Sequence, residues 1–162
     1  MHMTRQEMSV DFEDVTKKAP FSAKSVSNWV HCTLDVIDFQ QDYEIAIRIV
    51  CRDEACELNR IYRHKNSATN VLSFPADLEL PESKKILGDI VLCWPIIEEE
   101  TRIQNKTIMQ HSAHLVVHGV LHLLGWDHII DSDAKKMEEE EIGILQKLGY
   151  SNPYLSQDTQ IP

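Results

Sequence analysis

The stretch His118-Gly119-Val120-Leu121-His122-Leu123-Leu124-Gly125-Trp126-Asp127-His128 tells how this chain folds and where its chemistry lies. His118 and His122 are four residues apart, so on a helix of about 3.6 residues per turn both imidazoles project from one face. Gly125 follows three residues after His122, where helices often end on a residue with positive φ, a conformation glycine adopts without a side-chain clash. The chain can then reverse and bring His128 to the same ion. Three imidazoles leave a fourth position open for water, which marks a catalytic metal site rather than a structural one. Upstream, Thr107 stands where a helix cap belongs, and Leu115, Val116, Val117, Val120, Leu121, Leu123 and Leu124 make the second half of this helix apolar on nearly all sides. Such a helix must be central.

A histidine among leucines and valines is more often a hydrogen-bonded core residue, but here two helical histidines, a helix-ending glycine and a third histidine all fall at useful places. His114 lies one turn before His118, and a straight helix cannot wrap three ligands spread over two turns around one small tetrahedral ion. His114 is therefore read as packing or as a partner behind a ligand, and His111 as surface.

Working outward, Ser9 to Phe12 reads as a first strand, and Pro20 to Ser22 opens a helix with Val26, Trp29, Val30, Leu34 and Ile37 on one face. Tyr43 to Ile49 alternates apolar with mostly polar residues, the period of a half-buried strand. Asp53 is expected to cap the next helix, whose stripe is Ala55, Leu58 and Ile61 or Tyr62 and whose end gathers Arg60, Arg63, His64 and Lys65. Thr69 to Pro75 and the more buried Ile86 to Trp94 are strands joined by a polar loop and can pair as a hairpin, whereas strand, helix, strand earlier in the chain predicts a crossover. Pro95 suits a first helical turn. Asp131 to Asp133 cap a last helix carrying Met137, Ile144, Leu145 and Leu148, with Gly149 after its end. Glu141 falls on that apolar stripe, where an unpaired carboxylate is costly. It needs either solvent at the stripe's edge or a buried hydrogen bond to the loop carrying His128. The pattern is an α/β (α+β) domain over residues 1–150 with a mixed sheet, followed by a loose tail over 151–162.

With 162 residues and 43% hydrophobic content, the chain can bury one core. No run of about 18 apolar residues exists and the start lacks a signal-peptide pattern, so the expected location is the cytoplasm, with no membrane partner. Cys32, Cys51, Cys56 and Cys93 form no C-x-x-C pair and read as buried, reduced thiols. A net charge of −10 counts against indiscriminate binding to polyanions, but local clustering and a bound cation decide the field at a site.

Three imidazoles and a water are hydrolytic equipment. Zinc, one ion per chain, is the expected metal, with nickel as a substitute, because nitrogen ligands suit such borderline ions better than magnesium. Zinc peptidases of the His-Glu-x-x-His type carry their general base directly after the first histidine, where this chain has Gly119. Cleavage of an ester or phosphodiester that leans on the metal itself is favoured instead, with Asp127 available as a base or to orient His128. A phosphodiester also needs positive groups, and Arg60 to Lys65 supply them. Arg63, Lys65 and, after a short loop, Asn70 form a rim along which a phosphate chain can run if that loop lies beside the metal pocket.

The sequence HGVLHLLGWDH over 118–128, Leu58-Asn59-Arg60-Ile61-Tyr62-Arg63, Thr69-Asn70-Val71-Leu72-Ser73-Phe74-Pro75 and Leu87-Gly88-Asp89-Ile90 together resemble the YbeY family of bacterial endoribonucleases. The four blocks occur in order over about Tyr43 to Tyr150. The resemblance implies a mixed four-stranded sheet with the metal helix across it, zinc ligands at His118, His122 and His128, and a functional arginine at Arg63. It further implies a single-strand-specific, metal-dependent endoribonuclease acting in 3′-end maturation of 16S ribosomal RNA and in ribosome quality control. The partners it implies are single-stranded RNA, precursor 16S rRNA, and the 30S subunit with its assembly factors. Ala68, where proline is common, and Trp126, where tyrosine is common, depart from the pattern away from these positions. Two other classes compete: a zinc-dependent hydrolase of a peptide or ester, and a non-catalytic ribosome assembly factor in which the metal only holds fold and surface together.

Overall fold

A computed structural model describes residues 6–76, 84–126 and 131–155. In chain order the elements are β1 (Met8–Asp14), α1 (Ala23–Val36), β2 (Asp42–Val50), α2 (Arg52–Arg63), β3 (Val71–Pro75), β4 (Lys84–Cys93), α3 (Trp94–Gln104), α4 (Ile108–Leu123) and α5 (Asp131–Lys147). The sheet order is β1-β2-β4-β3, with β1 and β4 parallel to β2, and β3 antiparallel to β4. It is the expected mixed four-stranded sheet, with the crossover running through α1 and the hairpin formed by β3 and β4.

Local chemistry explains the elements. Ser22 caps α1 by accepting from the Ser25 N–H, and Thr107 caps α4 by accepting from the Gln110 N–H. Pro95 occupies the first turn of α3, where its missing N–H costs nothing. The cap of α2 differs from expectation: Cys51, in extended conformation, holds the cap position without a side-chain bond, and Asp53 lies inside the first turn, where its charge suits the helix dipole. Cys51 is also exposed, Cys32 and Cys56 are half-buried and Cys93 is buried, so the thiols are unpaired as expected but not uniformly hidden.

β4 lies between two strands and is covered on both faces. Ile90 and Leu92 join the main core with Val116, Val117, Val120 and Leu121 of α4, while Val91 and Cys93 face a smaller cluster with Ala55 and Leu72 beneath α2. One glycine is indispensable to this layout. Gly88 has φ of +134°, and a Cβ there would lie 2.2 Å from the Phe74 carbonyl oxygen of β3.

Residues 151–155, expected to begin a loose tail, are instead held. Lys106 Nζ donates to the Pro153 carbonyl at 2.8 Å, Gln110 Nε2 donates to Ser151 Oγ at 3.1 Å, and Pro153 is buried. These polar contacts come from the α3–α4 junction, which a tail's composition does not reveal.

Candidate active site

From His111 to Leu123, α4 is buried at every position except His114, His118 and His122. The spacing of four places these three in one line along the helix, and that line is where the core opens. The rings of His118 and His122 are parallel, with centroids 6.4 Å apart and planes 5° apart, whereas His114 is turned 84° from His118.

The cause of that difference is Glu141 of α5. Its carboxylate, 1% exposed, accepts from His118 Nδ1 at 2.6 Å, from His114 Nε2 at 2.8 Å and from the Tyr154 hydroxyl. Glu141 therefore has the buried partners its place on an apolar stripe requires, and among the described residues they are these three groups; the loop carrying His128 lies outside the described residues. Burial acts to raise the Glu141 pKa, but the hydrogen bonds from His114, His118 and Tyr154 outweigh it and bring the carboxyl down to about 2. An ionised carboxylate only accepts, so the proton of His118 sits on Nδ1 and the lone pair on Nε2. His114 is spent differently. Its Nε2 faces the carboxylate and its Nδ1 is buried without a hydrogen-bond partner, which leaves it unsuited to ligate.

The reversal after α4 is built as the sequence predicts. Gly125 has φ of +94°, its N–H donates to the His122 carbonyl, and the Trp126 N–H donates to the Leu121 carbonyl, a double-bonded helix end. His128 and Asp127 lie outside the described residues, as do the loop residues 77–83. Among the described residues no group of three or more His, Cys, Asp or Glu is arranged to hold a metal. A first-row ion nonetheless suits the donor set. His118 offers an oriented Nε2, a parallel imidazole stands one turn away, and a carboxylate fixes the tautomer from behind, the usual preparation of a metal-binding histidine.

Gly119 sits where the helix presses on the sheet. A Cβ there would lie 2.9 Å from Ile90 Cδ1 and 3.2 Å from Ser73 Oγ. Any side chain at this position would have to displace the Ile90 and Ser73 side chains.

Arg63 ends α2, beside His64 in left-handed conformation. Its Nη2 donates to the Ser73 carbonyl of edge strand β3 at 2.7 Å, and its guanidinium carbon lies 5.9 Å from the Phe74 ring centroid. Ser73 is thus shared: its carbonyl takes Arg63 and its hydroxyl lies against Gly119, the residue after His118. Arg63 lines a groove of about 690 Å³ with Tyr62, Phe74 and Asp89, whereas His114 lines a separate cavity of about 610 Å³. Asn70 belongs to the second. Its Nδ2 donates to Glu100 Oε1 at 3.0 Å, and the same oxygen accepts from His111 Nε2 at 2.9 Å. Lys65 is exposed, its N–H donating to the Asn59 carbonyl. The expected rim is accordingly divided between two cavities.

His111, read as a surface residue, is 4% exposed. The sequence could not show that Glu100, on a different helix, waits opposite it. Burial pushes the His111 pKa down against the opposing pull of Glu100, so at neutral pH this contact is a hydrogen bond from a neutral ring rather than an ion pair. Tyr154 and Glu100 carried no signal that marked them as members of this network.

A buried helix that opens only along a line of histidines, oriented by an ionised carboxylate and laid over a mixed sheet, defines an α/β protein with a prepared imidazole site. Comparison places it further. The family model described as Endoribonuclease YbeY matches residues 9–149. An endoribonuclease YbeY of Dichelobacter nodosus is 46% identical over 129 residues, 80% of this chain and 83% of that protein. That of Pseudomonas entomophila is 43% identical over 157 residues, 94% and 96% of the two chains. The solution structure of a Thermotoga maritima protein aligns with a TM-score of 0.59 at 26% identity, over 90% of this chain and 99% of that one. The chain belongs to the YbeY endoribonuclease family. Among the described residues no helix is long and apolar enough to cross a membrane.

Proposed function

We propose that this chain is a zinc-dependent endoribonuclease that cleaves single-stranded RNA in the cytoplasm and acts in 3′-end maturation of 16S ribosomal RNA and in ribosome quality control. Its partners in that role are precursor 16S rRNA and the 30S subunit with its assembly factors. The observation that carries the reading is the Glu141 bond to His118 Nδ1, which fixes the tautomer a metal-binding imidazole needs, in a family of endoribonucleases. His118, His122 and His128 would hold one zinc, with nickel as a substitute. When bound, the ion supplies a Lewis acid for the scissile phosphate and lowers the pKa of water at the open position.

The chain's own groups do the rest. Glu141 keeps the His118 tautomer fixed. Arg63, tethered by one N–H to Ser73, retains further donors that can fork onto two phosphate oxygens and stabilise charge gathering there. With glycine at 119, the base on which peptide hydrolysis depends is missing. The test is incubation of zinc-loaded protein with labelled single-stranded RNA, the matching duplex and a casein-like substrate, with and without chelator. Cleavage of the single strand alone, abolished by chelation, is expected. Chelator-insensitive RNA cleavage, or proteolysis without RNA cleavage, refutes the assignment.

A further inference from the structure

Seven large apolar side chains are exposed among the described residues, and three of them surround one cavity. Ile103 is 76% exposed, Tyr154 44% and Leu155 53%, and they border the 610 Å³ cavity that Asn70, Lys106 and His114 also line. Its volume is that of a small-ligand site. Apolar side chains left in water around a concavity, with polar groups inside it, mark a place where a ligand with a flat apolar body and a polar periphery is held.

The polar part of the wall favours an anion-bearing ligand. Lys106 is half-buried and spends one N–H on the Pro153 carbonyl, so its ammonium keeps two donors in a chain whose net charge is −10. Glu100, the carboxylate acting on it, accepts from Asn70 and His111 and forms no salt bridge with Lys106 among the described residues, while burial disfavours the bare ammonium, which a phosphate would relieve. Tyr154 connects the cavity to the histidine line, since its hydroxyl donates to Glu141, which in turn accepts from His118. A ligand resting on that ring lies two hydrogen bonds from a metal-binding imidazole.

We propose that this cavity is a base-binding subsite, in which an unpaired nucleobase of the RNA substrate packs on the Tyr154 ring between Ile103 and Leu155 while Lys106 holds a phosphate of the same strand. The inference rests on the endoribonuclease reading and adds a reason for single-strand preference. A base already stacked in a duplex cannot enter a walled cavity, whereas an unpaired base stacks on an aromatic ring regardless of its identity.

The test uses zinc-loaded protein and compares KM with kcat for a labelled single-stranded RNA. Ile103→Ser removes an exposed apolar wall, and Lys106→Gln removes the charge while keeping an N–H donor for the Pro153 carbonyl. Both are expected to raise KM about tenfold, as for loss of one contact to a base or phosphate, with kcat within a few-fold and zinc content unchanged. Tyr154→Phe and Tyr154→Leu both remove the hydroxyl that bonds Glu141, so the ring is read from the difference between them at matched zinc content, and leucine should raise KM relative to phenylalanine. One abasic position in the RNA should raise the wild-type KM by a similar factor and add little in Ile103→Ser. KM values within twofold of wild type in both Ile103→Ser and Lys106→Gln, while the wild type cleaves RNA, overturn the subsite alone. Absence of RNA cleavage by the wild type overturns the functional reading beneath it.

Discussion

Replacing Glu141 by glutamine tests the site most directly, because the two side chains have nearly the same shape but different hydrogen-bonding capacity. The carboxylate accepts from three donors: His118 Nδ1, His114 Nε2 and the Tyr154 hydroxyl. An amide offers one accepting oxygen and one NH₂ donor. If its oxygen faces His118, the NH₂ meets His114 and Tyr154, and His114 must move its proton to Nδ1, which is buried without a partner. If its NH₂ faces His118, that ring must accept at Nδ1 and carry its proton on Nε2, which removes the lone pair needed for a metal. Either arrangement leaves a buried donor unsatisfied at a cost of about 1–3 kcal/mol. The same disturbance behind a ligand lowers metal affinity by about 10- to 100-fold.

Because the Glu141 pKa is depressed to about 2, its stabilising contribution is present above the ordinary carboxylate value of 4.5 and is lost only as pH falls through that range. At neutral pH the carboxylate is fully ionised, so the comparison with glutamine is a comparison of charge and donors rather than of titration. The assay is zinc competition against a fluorescent chelator at pH 7.5, with thermal unfolding of the metal-free proteins alongside. A folded Glu141→Gln that binds zinc within twofold of wild type would refute the argument that this carboxylate prepares His118.

Arg63→Lys and Arg63→Ala should both keep zinc and fold yet lose about 10²-fold or more in RNA cleavage, since lysine restores charge without the fork; Arg63→Ala cleaving within a few-fold of wild type returns the residue to a surface role. Gly119→Ala should lose about 1 kcal/mol by urea unfolding, because overpacking against Ile90 and Ser73 costs about 1–3 kcal/mol and the gain in helix propensity returns only about 1; an alanine variant more stable than wild type contradicts the close contact. His111 has its pKa lowered by burial below its ordinary 6.5, so the unfolded chain binds the extra proton first and stability falls as pH drops below 6.5. Urea titrations between pH 5 and 7.5 should show a shallower slope for His111→Gln, and an unchanged slope assigns the effect elsewhere.

Readings based on local pattern translate well into this fold because they depend on contacts within one turn or one strand. The periods of α1, β2 and α5, the opening of α1 after Pro20 to Ser22, the cap at Thr107, the Pro95 start and the Gly125 reversal all belong to this kind. What pattern could not supply is the insertion of β4 between β2 and β3, since that order depends on which apolar strand wins the central place. Asp53 failed as a cap for a related reason: an aspartate near a helix start is favourable at several positions, and only the backbone conformation at Cys51 decides among them.

The site divides along the same line. Spacing alone put His114, His118 and His122 on one face, but it could not say which ring nitrogen each of them turns toward a neighbouring carboxylate. That choice is made by Glu141, 23 residues from His118, whose carboxylate takes Nε2 of His114 but Nδ1 of His118, with the hydroxyl of Tyr154 completing its partners. A run of three equivalent histidines thereby becomes two kinds of residue. His114 links the carboxylate to the cavity lined by Lys106 and Tyr154, and His118 presents its Nε2 on the other side. The segment from 151 to 155 then cannot be an appendage, because removing Tyr154 would leave the Glu141 carboxylate one donor short at a position where water has almost no access.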